Sequence, residues 1–119
     1  MGLISRERLE QEVVMVVKVL MKRQYKEGMG KEAFALIRKM RTRAMDQRGY
    51  ISGETLIDPA DDRKTMVIGT WQSMEDWLNW KNDPRRKECE EQLEQLLEVP
   101  AEYETYVYKY RVERMMATA

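Results

Sequence analysis

Apolar and polar positions along this chain change period several times, and each change marks an element. From Val13 to Gln24 the chain is rich in β-branched residues, and its apolar run from Val13 to Met21 is interrupted only by Lys18. That run predicts a long first strand. Tyr25-Lys-Glu-Gly-Met-Gly30 reads as a turn. Ala33, Leu36, Ile37, Met40 and Ala44 then recur at helical spacing, with lysines and arginines on the opposite side. They predict a first helix ending near Gly49. Tyr50 to Ile57 is a second strand, and Asp58-Pro-Ala-Asp-Asp62 is a turn cluster. Lys64 to Trp71 is a third strand, antiparallel to the second because so short a link cannot cross over.

Ser73 is the expected N-cap of a second helix, with Asp76 at its third position. Asn82-Asp83-Pro84 restarts that helix, since proline suits a first turn. Cys89, Leu93, Leu96 and Leu97 form its buried stripe, and Pro100 ends it. Glu102 to Val112 is a fourth strand carrying Tyr103, Tyr106, Tyr108 and Tyr110. Residues 1–12 are charged and read as an arm or short helix, residues 13–112 as one domain, and 113–119 as a tail. The order β-α-β-β-α-β is that of an α+β, ferredoxin-like unit with helices on one face of a four-stranded antiparallel sheet.

The sheet's other face poses a question. A wetted face should carry polar residues at every second position of strand one. Instead Val13, Met15, Val17, Val19 and Met21 line one side, and Val14, Val16 and Leu20 line the other. Both faces are therefore expected to be covered, while the chain holds helix for one. A second copy packed sheet to sheet with two-fold symmetry is the simplest cover. An N-terminal arm folded underneath is the alternative.

Composition narrows the chemistry. The chain has 119 residues, enough for one domain with a modest core. Lys plus Arg and Asp plus Glu number 21 each, so no basic excess points to nucleic acid or an anionic membrane. The longest apolar run, Val13 to Met21, is too short to span a bilayer and contains Lys18. The first twelve residues lack the apolar stretch of a signal peptide, and a cytoplasmic location is expected. Cys89 is the single cysteine, so neither an internal disulfide nor a cysteine metal cluster can form. There is no histidine, which removes the commonest metal and haem ligand and the usual general base.

The stretch Gly49-Tyr-Ile-Ser-Gly-Glu-Thr-Leu56, followed by Ile68-Gly-Thr-Trp-Gln-Ser-Met-Glu-Asp-Trp-Leu-Asn-Trp80, resembles the antibiotic biosynthesis monooxygenase (ABM) family. The likeness runs from about Val13 to Tyr110. It implies a dimeric α/β barrel built on the ferredoxin-like unit. The family includes cofactor-free quinol and polyketide monooxygenases, haem-degrading enzymes, and members without known activity; fold does not choose among them. The haem-degrading branch pairs an asparagine late in strand one, a tryptophan on the second helix and a histidine about three turns on. Trp80 looks like that tryptophan. Met21 or Lys22 stands at the asparagine position and Glu90 at the histidine position, so haem degradation is disfavoured.

The resemblance thus implies a cofactor-independent monooxygenase acting on a quinol or polycyclic phenol with O2. A non-catalytic, ligand-binding or stress-associated homodimer is the alternative. No cofactor, metal, nucleic acid or membrane partner is expected; a planar aromatic molecule is. Trp80 would form an aromatic wall, and Asn79 would orient a quinol oxygen through its amide. Tyr50 and Tyr106 would offer phenols, with Tyr108 a further candidate, and Trp77 a second indole. Arg41, at the edge of the first helix's stripe, would bind a substrate oxyanion. Each has a packing or surface role as its counterweight. Glu90 sits in Glu88-Cys-Glu-Glu91, which reads as a solvated charge run. Cys89 reads as a small buried hydrophobe, and the ten methionines as an adaptable interior.

Overall fold

The computed structural model of the protein describes residues 14–110. The expected arm at 1–12, the tail at 113–119 and the outermost residues of the first and last strands (13, 111 and 112) lie outside the described residues. The elements are β1 (Val14–Gln24), α1 (Gly30–Ala44), β2 (Tyr50–Asp58), β3 (Asp61–Trp71), α2 (Met74–Lys81), α3 (Pro84–Glu94) and β4 (Glu102–Tyr110). The four strands form one antiparallel sheet in the order β2-β3-β1-β4.

The single second helix expected from the sequence is two helices. The cause is Pro84, which lacks an N–H and drives its predecessor out of helical geometry. Asp83 is accordingly extended, at φ −65° and ψ 130°. Asn82 closes α2 by donating its side-chain amide to the Leu78 carbonyl at 2.9 Å. Asp83 opens α3 by accepting from the Arg85 N–H at 2.8 Å. The Arg85 guanidinium, hydrogen-bonded to the same carboxylate, holds Asp83 below the usual carboxylate range. Ser73 caps α2 as expected, its Oγ accepting from the Asp76 N–H at 3.0 Å. The turn expected over 58–62 shrinks to Pro59-Ala60, because Asp58 satisfies the Ala60 N–H at 2.8 Å and both strands run to its edge.

Alternation along β1 sorts the side chains into two layers. Val17, Val19, Met21 and Arg23 are buried beneath the helices. There Val17, Val19 and Met21 pack with Ala44, Trp71, Trp77 and Trp80. A second cluster joins α1 to α3 through Ala33, Ile37, Met40, Cys89 and Leu93, with Tyr25 and Leu97 beside them. Cys89 is fully buried, as a small hydrophobe should be. Tyr25, placed in a turn by the sequence pattern, is fully buried too. Its hydroxyl lies 2.7 Å from Thr65 Oγ1, and burial raises its phenol above the ordinary value.

On the opposite face, Lys18 donates to Thr70 Oγ1 at 3.1 Å. Around that pair Val16, Leu20, Met66 and Ile68 are only half-buried, and Leu56 and Tyr106 are exposed. Among the described residues, no helix covers this face. No helix among the described residues is long and apolar enough to cross a membrane.

One backbone position constrains how β2 leaves α1. Gly49 has φ +83°, and its carbonyl accepts from the Gln72 N–H at 2.7 Å. A Cβ there would strike the Asp76 side chain. Gly49→Ala is expected to destabilise the fold by roughly 1–3 kcal/mol, from left-handed strain plus the clash. Chemical denaturation measures it. Adding Asp76→Ala should recover only the clash portion; full recovery would mean the backbone carries no strain.

Candidate functional site

The candidate site is a cavity between the sheet and the helices, and three aromatic anchors build its wall. Trp71 ends β3, and Trp77 and Trp80 lie three residues apart on one face of α2. All three are buried, at 2%, 3% and 4% exposure. Trp71 meets Tyr50 edge-on, with ring centroids 5.4 Å apart and an interplanar angle of 83°. Trp71 and Trp77 are 6.1 Å apart. Such contacts hold large rings in fixed orientations. Ile37, Met40 and Ala44 from α1 and Met21, Val67 and Gly69 from the sheet complete the apolar lining.

The cavity volume is about 60 Å³. That is room for about two waters; an apolar cavity that takes benzene measures about 150 Å³. A ring can enter only if lining side chains move. Met21 and Met40 are the flexible ones.

At the mouth, Arg41 donates to the Gly53 carbonyl. Gly53 leaves room for the neighbouring Tyr50 ring. A Cβ there would sit 2.9 Å from the Tyr50 hydroxyl.

The floor of the cavity is ionic. Arg23, on the helix-facing side of β1, donates from Nη2 to Glu90 Oε1 at 2.6 Å. Arg86 donates from Nη2 to the same oxygen at 3.2 Å. Arg86 also donates to the Tyr103 hydroxyl at 2.8 Å and lies 5.2 Å from the centre of the Trp77 ring. Arg23, Arg86 and Glu90 are 4%, 5% and 8% exposed. The expectation that Glu90 belongs to a solvated run is therefore overturned. One turn below Glu90, Arg86 meets it at the i,i+4 spacing of a helix, and β1 supplies the second guanidinium from 67 residues away.

Of the residues singled out in the sequence, Trp80, Trp77, Tyr50 and Arg41 line this cavity together. Asn79 is exposed on α2 and does not line it. Tyr106 is 57% exposed and pairs with Lys18 on the face of the sheet away from the helices. Sequence reasoning missed Arg23 and Arg86. A signal for Arg23 existed: it continues the parity of Val17, Val19 and Met21. None marked Arg86, because its burial follows from where α3 restarts.

Residues 15–92 match the family described as antibiotic biosynthesis monooxygenase. The chain belongs to that family. Among curated proteins none matches this sequence. Solved structures share its fold. A conserved protein from Methanosarcina mazei Go1 superposes with a TM-score of 0.74 at 16% identity, over 78% of this chain and 92% of that one. A mutant of SnoaB, a cofactor-independent oxygenase from Streptomyces nogalater, gives 0.71 at 14% identity, over 76% and 90%. Rv0793 from Mycobacterium tuberculosis gives 0.71 at 15% identity, over 76% and 92%. At such identities the likeness is one of fold. It accounts for the ferredoxin-like sheet with helices on one face, and in this ABM chain the Arg23–Glu90–Arg86 cluster lies at the floor of the cavity.

Proposed function

We propose that this ABM protein is a cofactor-independent monooxygenase that oxidises a quinol with O2 in the cavity beneath Trp80. The observation that carries the reading is the wall of Trp71, Trp77, Trp80 and Tyr50 around a buried, largely apolar space. Flat indole surfaces suit a flat ring, and a dry site keeps water from competing with oxygen. The reaction balances without a bound redox group. A quinol plus O2 yields a hydroxyquinone plus water: one oxygen atom enters a ring C–H bond, and the other leaves as water. The ring supplies the electrons. With about 60 Å³ available, a single ring demands less movement of the lining side chains than a polycyclic phenol does. Haem chemistry gains nothing here, since Glu90 already accepts from two guanidiniums.

The test is oxygen uptake by purified protein with reduced quinones, against a no-enzyme control for autoxidation. Uptake that saturates with substrate supports the reading. Background uptake across single-ring and fused-ring quinols would leave a binding protein.

The reading includes a homodimer. Val16, Leu20, Met66, Ile68, Leu56 and Tyr106 form an apolar sheet face that no helix among the described residues covers, and a second copy supplies the same face by symmetry. Sedimentation equilibrium should give twice the 14.2 kDa of one chain. Ile68→Glu, beside Leu20 in the β1–β3 register, should reduce it to a single chain. A wild-type mass of one chain at micromolar concentration would exclude the second copy.

A further inference from the structure

The floor of the cavity carries more positive charge than its own carboxylate neutralises. Two guanidiniums, Arg23 and Arg86, share one carboxylate, and both bonds go to the same oxygen of Glu90. The exposed pair Arg41 and Glu54 also border the cavity and offset each other in charge. Among the described residues, one positive charge is left over. A second observation concerns donors. Arg23 Nε is buried and has no acceptor among the described residues, although the Arg23 side chain is only 1% exposed. A buried donor without a partner is costly, and a buried charge in surplus is costlier. An anionic oxygen in the cavity answers both, because guanidinium presents several N–H groups to an oxyanion at once.

We infer that the cavity takes its ligand as a monoanion, a single aromatic ring bearing a carboxylate or phenolate oxygen held by Arg23 and Arg86. The ring would lie against Trp77 and Trp80, and the charged oxygen would point to the floor. This deepens the proposed oxidation by naming the ionised form of the substrate, and it rests on the same cavity. Arg86 is fixed for the task by its bond to the Tyr103 hydroxyl and its position over the Trp77 ring. Arg23 is the guanidinium with a donor to spare.

Three cavity tryptophans make intrinsic fluorescence a direct readout. Benzoate and its neutral isostere benzamide are titrated into the wild-type protein at low and high salt. Benzoate is expected to bind roughly tenfold tighter or more, the worth of a hydrogen bond to a charged group. The preference should survive high salt, because a buried pair is little screened. A phenol titrated below and above its own pKa separates the two oxygens. Tightening on ionisation assigns a phenolate, whereas preference for benzoate alone assigns a carboxylate.

Arg23→Met should erase the anion preference. Glu90→Gln should strengthen benzoate binding several-fold, because it doubles the surplus charge; a merely structural carboxylate would not move affinity in that direction. Equal affinity for benzoate and benzamide in the wild type overturns the inference, whether or not either variant folds. So does the absence of binding by any of the anions. An anion preference without oxygen uptake would keep this site and remove the oxygenase. Uptake on quinols bound equally well neutral or ionised would do the reverse.

Discussion

Glu90→Leu is expected to lower the free energy of unfolding by about 3–5 kcal/mol, the usual effect of stripping one partner from a buried ion pair. The reason is local. Glu90 Oε1 is the acceptor for both Arg23 Nη2 and Arg86 Nη2, so leucine leaves two guanidiniums facing each other in an apolar cavity. For a domain of this size each kcal/mol lowers the melting temperature by about 4 °C, so a fall of about 12–20 °C should appear in a thermal scan. Replacing all three members of the cluster gives the contrasting result. Arg23→Met, Arg86→Met and Glu90→Leu together should come within about 2 kcal/mol of the wild type or exceed it, because no charge is then buried. A triple variant as unstable as Glu90→Leu would show that packing, rather than charge, holds this floor. If the triple variant is stable yet no longer binds anions, the cluster is kept for the ligand and not for the fold.

Oxygen uptake should fall by tenfold to a hundredfold, on the order expected for a mis-seated substrate, in Trp80→Phe. Phenylalanine keeps an aromatic core residue at a position only 4% exposed, so stability should drop by no more than about 1–2 kcal/mol. Trp80→Ala is the less informative change. It should cost about 3–5 kcal/mol by opening a void beside Val17, Val19 and Trp77, and loss of rate would then follow from loss of fold. Wild-type turnover in a folded Trp80→Phe protein would make Trp80 a packing residue alone. Kinetics separate the two ways of failing. A raised KM with unchanged kcat means lost ring binding, and a lowered kcat means a ring held at the wrong angle.

Much of the architecture was legible in the chain because its signals are local. Val13 to Gln24 reads as a strand from β-branched content, and α1 from the recurrence of Ala33, Leu36, Ile37, Met40 and Ala44. Ser73 announces the start of α2, and Pro84 the start of α3. Pro84 also ended α2 outright, a break that reading the segment as one restarted helix underestimates. The family likeness around Gly49 to Trp80 carried the fold and singled out Trp80, which lines the cavity. It did not carry polar chemistry. Asn79 sits beside Trp80 in the chain, but neighbours on a helix point about 100° apart, so it faces away from the cavity. Tyr106 has the opposite parity on β4 from Tyr103, the residue that reaches Arg86.

The sequence by itself determined the period of each element, the places where elements start and stop, and the apolar stripe that each buries. These depend on residues within a few positions of one another, where propensity, capping and alternation act. Only the tertiary structure decided that Arg23, Arg86 and Glu90 meet. Glu90 and Arg23 are 67 residues apart, and nothing local distinguishes a buried arginine from a solvated one until the strand register and the restart of α3 are set. Register and helix phase, each fixed to within a single residue by packing, turned a charge run into the floor of a cavity.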